Sequence, residues 1–360
     1  MVGAQRARVR RGVVLAGSGR GVDPGVVSAL ARVRVDDGPA FRAWFECYDR
    51  AQRHASGSAE SWLIEEWRAR AADDTAPIHS RLFRLGPAGA PVGVAAVELN
   101  DLDDVRLARA ELYVDPERRR RGWGTALLAG LLEEVRALGR DTLMVRVLVE
   151  PSGEAKRAAL AFAGARGLTH TSTSPSRVWD LAPESLARLE DRCRLRATGY
   201  AVTTVVGPTP EALVAERARL AGLIAGAVPD AGAGVREERW DPARVRDLER
   251  HVADLGREIV VALAHEEGTG ARLVGFSEVT VSLTRPTTAY QWGTFVEPDH
   301  RGRGVAAWMK VAAARALLAT SPATTRIVTQ NDARNVAVIA MNESLGQRVS
   351  AETLVFIGHP

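Results

Sequence analysis

Apolar residues recur along this chain with two different periods, and the switches between them predict its helices and strands. Leu127, Leu128, Leu131 and Val135 follow the three- and four-residue spacing of one helix face, which predicts a helix from Gly124 to Leu138. Further helices are predicted over 39–52, 61–71, 154–166, 210–227, 242–255, 304–318 and 335–345. Strands are predicted over 31–35, 78–85, 92–99, 105–114, 142–149, 200–206, 258–264, 272–283, 288–296, 326–329 and 353–357.

The same order of elements occurs twice, and part of the sequence repeats with it. The segments AELYVDPERRRRGWG and GTFVEPDHRGRGVA align without a gap, so that Val114 matches Val296 and Gly122 matches Gly304. Upstream, PVGVAAVEL aligns with LVGFSEVTV in the same register. The period is the size of a whole domain, which indicates a duplicated domain and excludes a solenoid of short repeats.

The order of elements predicts an α/β (α+β) fold. Strands grouped ahead of a strand–helix–strand unit predict, in each copy, a mixed, mostly antiparallel sheet flanked by helices. We divide the chain into a flexible N-terminal extension (1–26), a first domain (27–183), a linker (184–198) and a second domain (199–360). The segment TSTSPSRVWDLAPES is taken as the approach to the join, and a helix over 184–196 as the connector.

Each copy carries a loop rich in arginine and glycine between a strand that ends in Val-x-Pro and an apolar helix. Such a loop leaves backbone N–H groups unpaired at the positive end of a helix dipole, where a pyrophosphate binds well. Glycine and alanine let the phosphate approach the backbone, and arginine adds positive charge. The candidate binding residues are Val114, Arg119, Arg120, Arg121, Gly122, Trp123, Gly124 and Thr125, and then Val296, Arg301, Gly302, Arg303, Gly304, Val305 and Ala306.

Both loops match the Arg/Gln-x-x-Gly-x-Gly/Ala signature of the GNAT (GCN5-related N-acetyltransferase) superfamily, and so do the strand and the helix beside each loop. The resemblance covers residues 30–180 and 199–358, and the arrangement is similar to that of actinobacterial tandem GNAT proteins and of mycothiol synthase. It implies two tandem GNAT domains that use acetyl-CoA as co-substrate. It also implies that Asn335, matched by Lys156 in the first copy, contacts the pantetheine; an ordinary helix N-cap fits Asn335 equally well.

The usual proton-transfer residues of the superfamily are missing from both copies. The place of the glutamate on the fourth strand holds Ala108 and Tyr290, and the place of the tyrosine in the last helix holds Ala163 and Asn342. An acyl transfer to an amine needs a base for the amine and an acid for the leaving thiolate. Replacement residues are therefore needed if the protein is an enzyme.

Three side chains are candidates for this role. Glu278 lies on the third strand of the second copy, where the first copy has the apolar Ala96. Tyr290 lies where the usual base would be, and Glu111 lies on the fourth strand of the first copy, three residues before the Val of Val-x-Pro. A solvated strand carboxylate is the alternative interpretation of Glu111, and a base acting through water stays open.

Composition narrows the choice of function further. Only two of the 48 basic residues are lysines, the net charge is +4, and acids are interleaved with the arginines, so we expect no nucleic-acid partner. No apolar run is long enough to span a membrane, and Cys47 and Cys193 form no metal or disulfide pattern, so we expect a cytoplasmic protein without a metal. A Walker loop is absent, and Gly17–Gly21 only faintly resembles a dinucleotide loop.

These observations favour an N-acetyltransferase that moves an acetyl group directly from acetyl-CoA to a primary amine, with the second copy as the catalytic half. A non-catalytic acyl-CoA-binding or sensing protein is the alternative, favoured by the missing tyrosine. The expected partners are acetyl-CoA and a small amine. The identity of that amine stays open, as does the choice between a monomer and a homodimer.

Overall fold

The computed structural model describes residues 30–57, 61–102, 104–227, 239–268, 270 and 272–360. The expected N-terminal extension and the Gly17–Gly21 segment lie outside these residues. Most predicted elements are present, with ends that differ by a few residues. We call the chain up to Asp180 the first half and the chain from Pro183 the second half.

The described part of the first half contains six strands and four α-helices. They are β1 (Ala31–Val33), α1 (Gly38–Ser56), α2 (Ile64–Arg70), β2 (Ile78–Leu85), β3 (Gly93–Asn100), β4 (Leu107–Val114), α3 (Trp123–Ala137), β5 (Thr142–Val149), α4 (Glu154–Ala165) and β6 (Thr169–Asp180). A short 3₁₀ turn, Pro116–Arg118, separates β4 from the loop that precedes α3.

The described part of the second half repeats this order and adds a leading helix. Its elements are α5 (Pro183–Arg196), β7 (Tyr200–Val206), α6 (Glu211–Ala227), α7 (Pro242–Asp254), β8 (Arg257–Glu266), β9 (Leu273–Ser282), β10 (Thr288–Val296), α8 (Val305–Thr320), β11 (Arg326–Gln330), α9 (Val336–Ser344) and β12 (Arg348–Gly358). A matching 3₁₀ turn, Pro298–His300, follows β10.

All of these strands join one sheet in the order β1-β2-β3-β4-β5-β12-β6-β11-β10-β9-β8-β7. The sheet is mixed and mostly antiparallel, as the sequence predicts: only β4 with β5 and β10 with β11 run parallel. Both parallel pairs are short. Residues 107–110 pair with 142–145, and residues 288–291 pair with 326–329, so each pair separates toward the carboxyl end of its first strand.

The last strand of each half is exchanged with the other half. The C-terminal strand β12 pairs with β5 of the first half, and β6 pairs with β11 of the second half. The two exchanged strands also pair with each other along nearly their whole length. The division of the chain at residues 183 and 199 stays a prediction from the repeat, and the hydrogen bonds of the sheet cut across it.

Two features near the join differ from the sequence-based expectation. The segment taken as the approach to the join forms most of the long strand β6, whose Ser- and Thr-rich sequence lacks the apolar alternation by which strands are recognised. The expected connector is helix α5, and its Leu186 and Cys193 are buried against α8 in the core of the second half. The helix is therefore a packed element of that half.

The two halves fill the space on one face of the sheet differently. Beneath β3 of the first half, Trp44 stacks on Tyr48 at 5.7 Å, and Trp67 meets both rings edge-on. On β9 of the second half, Glu278 stands in place of Ala96 and forms an ion pair with the buried Arg217. The first half has an aromatic cluster here, whereas the second half adds buried ion pairs to an apolar core.

Candidate functional site

The two arginine- and glycine-rich loops have the same backbone conformation. Gly122 (φ 82°) and Gly304 (φ 83°) are the N-caps of α3 and α8, and both adopt the left-handed conformation that glycine tolerates best. Two residues earlier, Arg120 (φ 61°) and Gly302 (φ 76°) are also left-handed. Arg120 is the only residue other than glycine with a positive φ in the described ranges.

One arginine of each loop fastens the loop to the strand before it. The Arg119 Nε donates to the carbonyl of Val114 at 3.2 Å, and the Arg301 Nε donates to the carbonyl of Val296 at 2.9 Å. Arg303 turns elsewhere, because its guanidinium donates to the Tyr200 hydroxyl at 3.1 Å. These side chains shape the loop, which leaves anion binding mainly to the backbone.

Backbone N–H groups at the start of each helix are free to bind a ligand. The first amide of α8 with a partner in the preceding turn is that of Trp308, which donates to the Gly304 carbonyl at 3.1 Å. In α3 the corresponding amide is that of Ala126, which donates to Gly122. The unpaired amides before them lie at the positive end of the helix dipole and suit a pyrophosphate.

A cavity of about 1000 Å³ follows the second loop. We call it the second-half cavity. Seven of the predicted binding residues line it: Val296, Arg301, Gly302, Gly304, Val305, Ala306 and Asn335. Its walls come from β10, α8, α9 and α5, so it lies where β10 and β11 separate. The predicted loop residues and Asn335 thus meet at one opening.

Asn335 occupies the N-cap position of α9. Its side-chain oxygen accepts a hydrogen bond from the Val338 N–H at 3.3 Å, and the residue also lines the second-half cavity. The cap role predicted for it is present, and its place on the cavity wall is compatible with contact to a ligand.

The second-half cavity also contains a buried lysine. Lys310 on α8 is 1% exposed, and its ammonium donates to the Asn342 side-chain oxygen at 3.0 Å. Asn342 in turn donates to the Asn331 oxygen at 2.6 Å. Burial lowers the pKa of Lys310 to about 7, because the low-dielectric surroundings disfavour the charged form. Lys310 thus lies in contact with Asn342, which stands at the position where the resemblance predicts a tyrosine.

The corresponding region of the first half is packed with side chains. A Cβ on Gly124, the match of Ala306, would lie 3.3 Å from the Phe162 ring. The residue in the second half that corresponds to Phe162 is Met341, which lines the second-half cavity. Lys156, at the place of Asn335, forms an ion pair with Glu352 of β12. The first loop therefore has the backbone geometry of an anion site, and Phe162 covers its glycine.

A second cavity, of about 450 Å³, lies between the halves. We call it the inter-half cavity. It is lined by residues of both halves, including two of the three candidate catalytic residues, Glu111 and Tyr290. Trp292, Thr329 and Gln330 line both cavities, so the two cavities adjoin at the point where β10 leaves β11.

The strand β10 is irregular at this meeting point. Its pairing with β9 shifts between Gln291 and Thr294, which places Trp292 in a β-bulge. The matching strand β4 pairs with β3 from Ala108 onward without a shift, so the first half has no bulge here. A bulge re-aims side chains, and it accounts for a tryptophan that reaches both cavities.

Tyr113 and Arg257 position the two candidates that line the inter-half cavity. The Tyr113 hydroxyl donates to Glu111 Oε2 at 2.7 Å, and burial together with the Glu111 charge raises the pKa of Tyr113 well above its usual value. The guanidinium of Arg257 lies 5.0 Å from the centre of the Tyr290 ring. Glu111 thus accepts a hydrogen bond from Tyr113, and Tyr290 lines the inter-half cavity beside the Arg257 guanidinium.

The third candidate, Glu278, belongs to the buried ionic cluster. Arg217, which is 1% exposed, donates to Glu278 at 2.6 Å, to Glu249 at 2.7 Å and to Thr209 at 2.6 Å. Three acceptors thus satisfy one buried guanidinium, an arrangement that stabilises packing.

Sequence reasoning missed three features of the site. Lys310 is the single charge within the apolar run VAAWMKVAAA, and that isolation is a signal that could have identified it. Arg196 of α5 packs over Gly304 and lines the second-half cavity. Arg146 lines the inter-half cavity from β5, and no sequence pattern distinguishes it from the other arginines.

The described residues contain neither a metal-binding cluster nor a membrane-spanning helix. Within these ranges no group of three or more His, Cys, Asp or Glu side chains is arranged to hold a metal ion. No helix in the same ranges combines the length and the apolar character needed to cross a membrane.

Comparisons with known proteins agree with this geometry. Residues 40–162 match the model of the acetyltransferase (GNAT) family. Over 92% of the chain, the structure is similar to 98% of a tandem GNAT protein from the clavulanic acid biosynthesis pathway, with a TM-score of 0.73 and 24% identity. A GCN5-related N-acetyltransferase from Sphaerobacter thermophilus is similar over 92% of this chain and 95% of its own, with a TM-score of 0.62 and 17% identity.

No curated protein matches the sequence. The match to the family model lies in the first half, whereas the structural similarity extends over both halves. The family match covers part of the first half, and the structural similarities show that the chain as a whole has the fold of tandem GNAT proteins, with an acetyltransferase-type fold in each half.

Proposed function

We propose that the protein is an N-acetyltransferase that binds acetyl-CoA in the second-half cavity and transfers the acetyl group directly to a primary amine in the inter-half cavity. The observation that carries this proposal is the junction of the two cavities at Trp292, Thr329 and Gln330. A donor and an acceptor that enter from opposite sides can meet there without a covalent enzyme intermediate.

The chain's own groups supply the donor site. The free amides before Trp308 bind the pyrophosphate, and the glycines of the loop let it approach the backbone. Beyond Gln291 the edge of β10 that faces β11 has no strand partner in the described residues, so its backbone groups are available to the amides of pantetheine. This places the thioester near Trp292.

Proton transfer is assigned to groups on the two sides of the junction. The amine nitrogen attacks the acetyl carbon, the C–N bond forms, the C–S bond breaks, and the thiolate leaves. Glu111 receives the proton of the amine, because it lines the inter-half cavity and the Tyr113 hydroxyl occupies only one of its two oxygens in the described residues. Lys310 donates a proton to the thiolate, since its pKa of about 7 allows this at neutral pH.

Tyr290 and Glu278 receive other roles in this proposal. Tyr290 forms a wall of the acceptor site beside Arg257. Glu278 stabilises the fold through Arg217. The first half keeps its loop as a structural copy, because Phe162 covers Gly124.

Calorimetric titration with acetyl-CoA tests where the donor binds. Ala306→Glu places a carboxylate in the first turn of α8, where helices tolerate acids, and directs it into the second-half cavity. We expect the Kd for acetyl-CoA to rise at least tenfold, about 1.4 kcal/mol. Thr125→Glu makes the same change in the first turn of α3, and Ala319→Glu makes it at an exposed site of α8; both are expected to leave the Kd unchanged.

The outcomes separate the competing interpretations. A loss of binding in Thr125→Glu alone would move the donor site to the first half. A wild-type protein that binds acetyl-CoA but releases no CoA with any amine would favour the non-catalytic alternative. A wild-type protein that does not bind acetyl-CoA would contradict the proposal itself.

A further inference from the structure

The charges of the inter-half cavity are unevenly paired. Three of the arginines that line it have carboxylate partners: Arg70 pairs with Glu98, Arg109 with Asp104, and Arg257 with Glu66 at 2.6 Å. The fourth, Arg146, donates to the neutral side-chain oxygen of Gln330 at 3.0 Å. In the described parts of the chain no carboxylate lies within ion-pair distance of Arg146, so its charge is available to a ligand.

Arg146 lies close to the junction of the two cavities. Its hydrogen-bond partner Gln330 lines both of them, and the Gln330 amide is itself held by Thr353 of β12. The guanidinium therefore borders the place where the proposed acceptor must present its amine. An anionic group bound by Arg146 would be only a few bonds away from that amine.

The nearby acid is also without a cation. Glu111 is the next residue of β4 after Ala110, whose partner on β5 is Val145, so Glu111 and Arg146 follow the last paired positions of neighbouring strands. The Tyr113 hydroxyl contacts Glu111, and the ranges described here contain no basic group within ion-pair distance of it. One cation and one anion without an ion-pair partner in the described residues thus line the same cavity.

The surroundings add two further constraints. Burial acts to raise the pKa of Glu98, but the charges of Arg70, Arg109 and Arg146 hold it below its usual value. Trp292 supplies a flat apolar wall, whereas the guanidinium of Arg70 lies over the rings of Trp62 and Trp67. A volume of about 450 Å³ is within the range of small-ligand sites.

We propose that the acceptor is an amino acid or a similarly small amine that carries a carboxylate, with the carboxylate bound by Arg146, the amine directed to Glu111 and an apolar side chain against Trp292. A guanidinium binds a carboxylate in two parallel hydrogen bonds, which fixes both its position and its orientation. This inference rests on the proposed function, because it names the substrate class of the acceptor site.

Binding measurements with matched ligands test the inference without requiring turnover. Tryptophan fluorescence, supported by calorimetry, is followed while the protein is titrated with L-phenylalanine, L-leucine and L-methionine and with the amide of each. We expect at least one amino acid to bind at least tenfold more tightly than its amide. Arg146→Gln should remove this preference and leave binding of the amide unchanged. Arg106→Gln, at an exposed arginine paired with Asp141, should behave as the wild type.

Two results would overturn the inference: no preference for the carboxylate in any of the three pairs, or a preference that persists in Arg146→Gln. Acetyl-CoA titration of the same preparations keeps the two proposals apart. If acetyl-CoA binds and the carboxylate preference is absent, the substrate class alone is wrong. If the preference is present and acetyl-CoA does not bind, the carboxylate site stands and the proposed transferase function fails.

Discussion

The two halves of the molecule have the same loop conformation but differ in the residues and the space beside the loop. Gly122 and Gly304 have nearly identical backbone angles, and Arg119 and Arg301 make the same hydrogen bond. Beside the second loop the chain leaves a large cavity that Arg196 lines where it packs over Gly304, whereas beside the first loop Phe162 packs against Gly124. A shared loop geometry is thus not enough for a binding site, because the space beside the loop is set by other residues.

The same contrast appears at three more matched positions. Lys310 corresponds to Leu128, which is buried in the core of the first half. Glu278 corresponds to Ala96, and Gly302 to Arg120. In each pair one half has an apolar residue or a glycine that suits the position, and the other half has a charged residue. Substitutions at such positions show what the differing residues contribute to stability or to binding.

The largest effect is expected at the ionic cluster. Arg217→Met leaves Glu278 in a buried site without its cation, whereas Glu249 keeps its ion pair with Arg246. Unpaired buried charges are strongly destabilising, so we expect the free energy of unfolding to fall by about 3–5 kcal/mol. Urea unfolding measures this change. Arg250→Met, at an exposed arginine paired with Asp247, is the control and should change it by less than about 0.5 kcal/mol. A loss below about 1 kcal/mol in Arg217→Met would contradict the structural role assigned to Glu278.

The second-largest effect is expected at the side chain beside each loop, which is Phe162 in the first half and Met341 in the second. Met341→Phe gives the second half the ring found in the first, and we expect acetyl-CoA to bind about 100-fold more weakly, close to 3 kcal/mol. Phe162→Met makes the reverse change and should create weak additional binding, seen as a rise in calorimetric stoichiometry. Unchanged affinity in Met341→Phe would show that this position does not separate the halves.

The third effect is a pH dependence that belongs to Lys310. Because its pKa is about 7 in the folded protein and about 10.5 in the unfolded chain, the unfolded state binds more protons between these values. Stability therefore rises with pH across this window and is constant with respect to Lys310 below it. We expect wild type to gain about 1–3 kcal/mol between pH 7 and 9.5 relative to Lys310→Met. Parallel stability curves for the two proteins would exclude a lowered pKa.

The smallest effect is expected from the left-handed loop positions. A methyl group added at Gly302 would meet no other atom within 4 Å, so Gly302→Ala should destabilise the protein only through its positive φ, by about 1 kcal/mol. Arg120→Gly should stabilise it by about 0.5 kcal/mol, since relief of strain exceeds the extra entropy of the unfolded chain. Changes of opposite sign in urea unfolding would confirm that the two loops share one conformation; changes of the same sign would contradict it.

The sequence predicted those parts of the molecule that depend on local patterns. The apolar stripe of α3, the loops and the mixed sheet all follow from periodicity and from glycine placement. Strand β6 was not predicted, because its Ser and Thr residues give no apolar alternation. Phe162 and Arg146 escaped because their importance depends on what lies opposite them in space: Phe162 faces Gly124, and Arg146 lacks an acid that its neighbours on the sheet possess.

The exchange of β6 and β12 has a consequence for how the chain is made. Strand β5 receives its neighbour only when residues 348–358 have left the ribosome, although every other element of the first half has emerged long before. The edge of β5 must therefore stay unpaired during the synthesis of nearly 200 residues, a state in which sheet edges are prone to join other chains. The sheets of both halves are therefore completed together when β12 is added, so neither half is expected to fold as an independent domain.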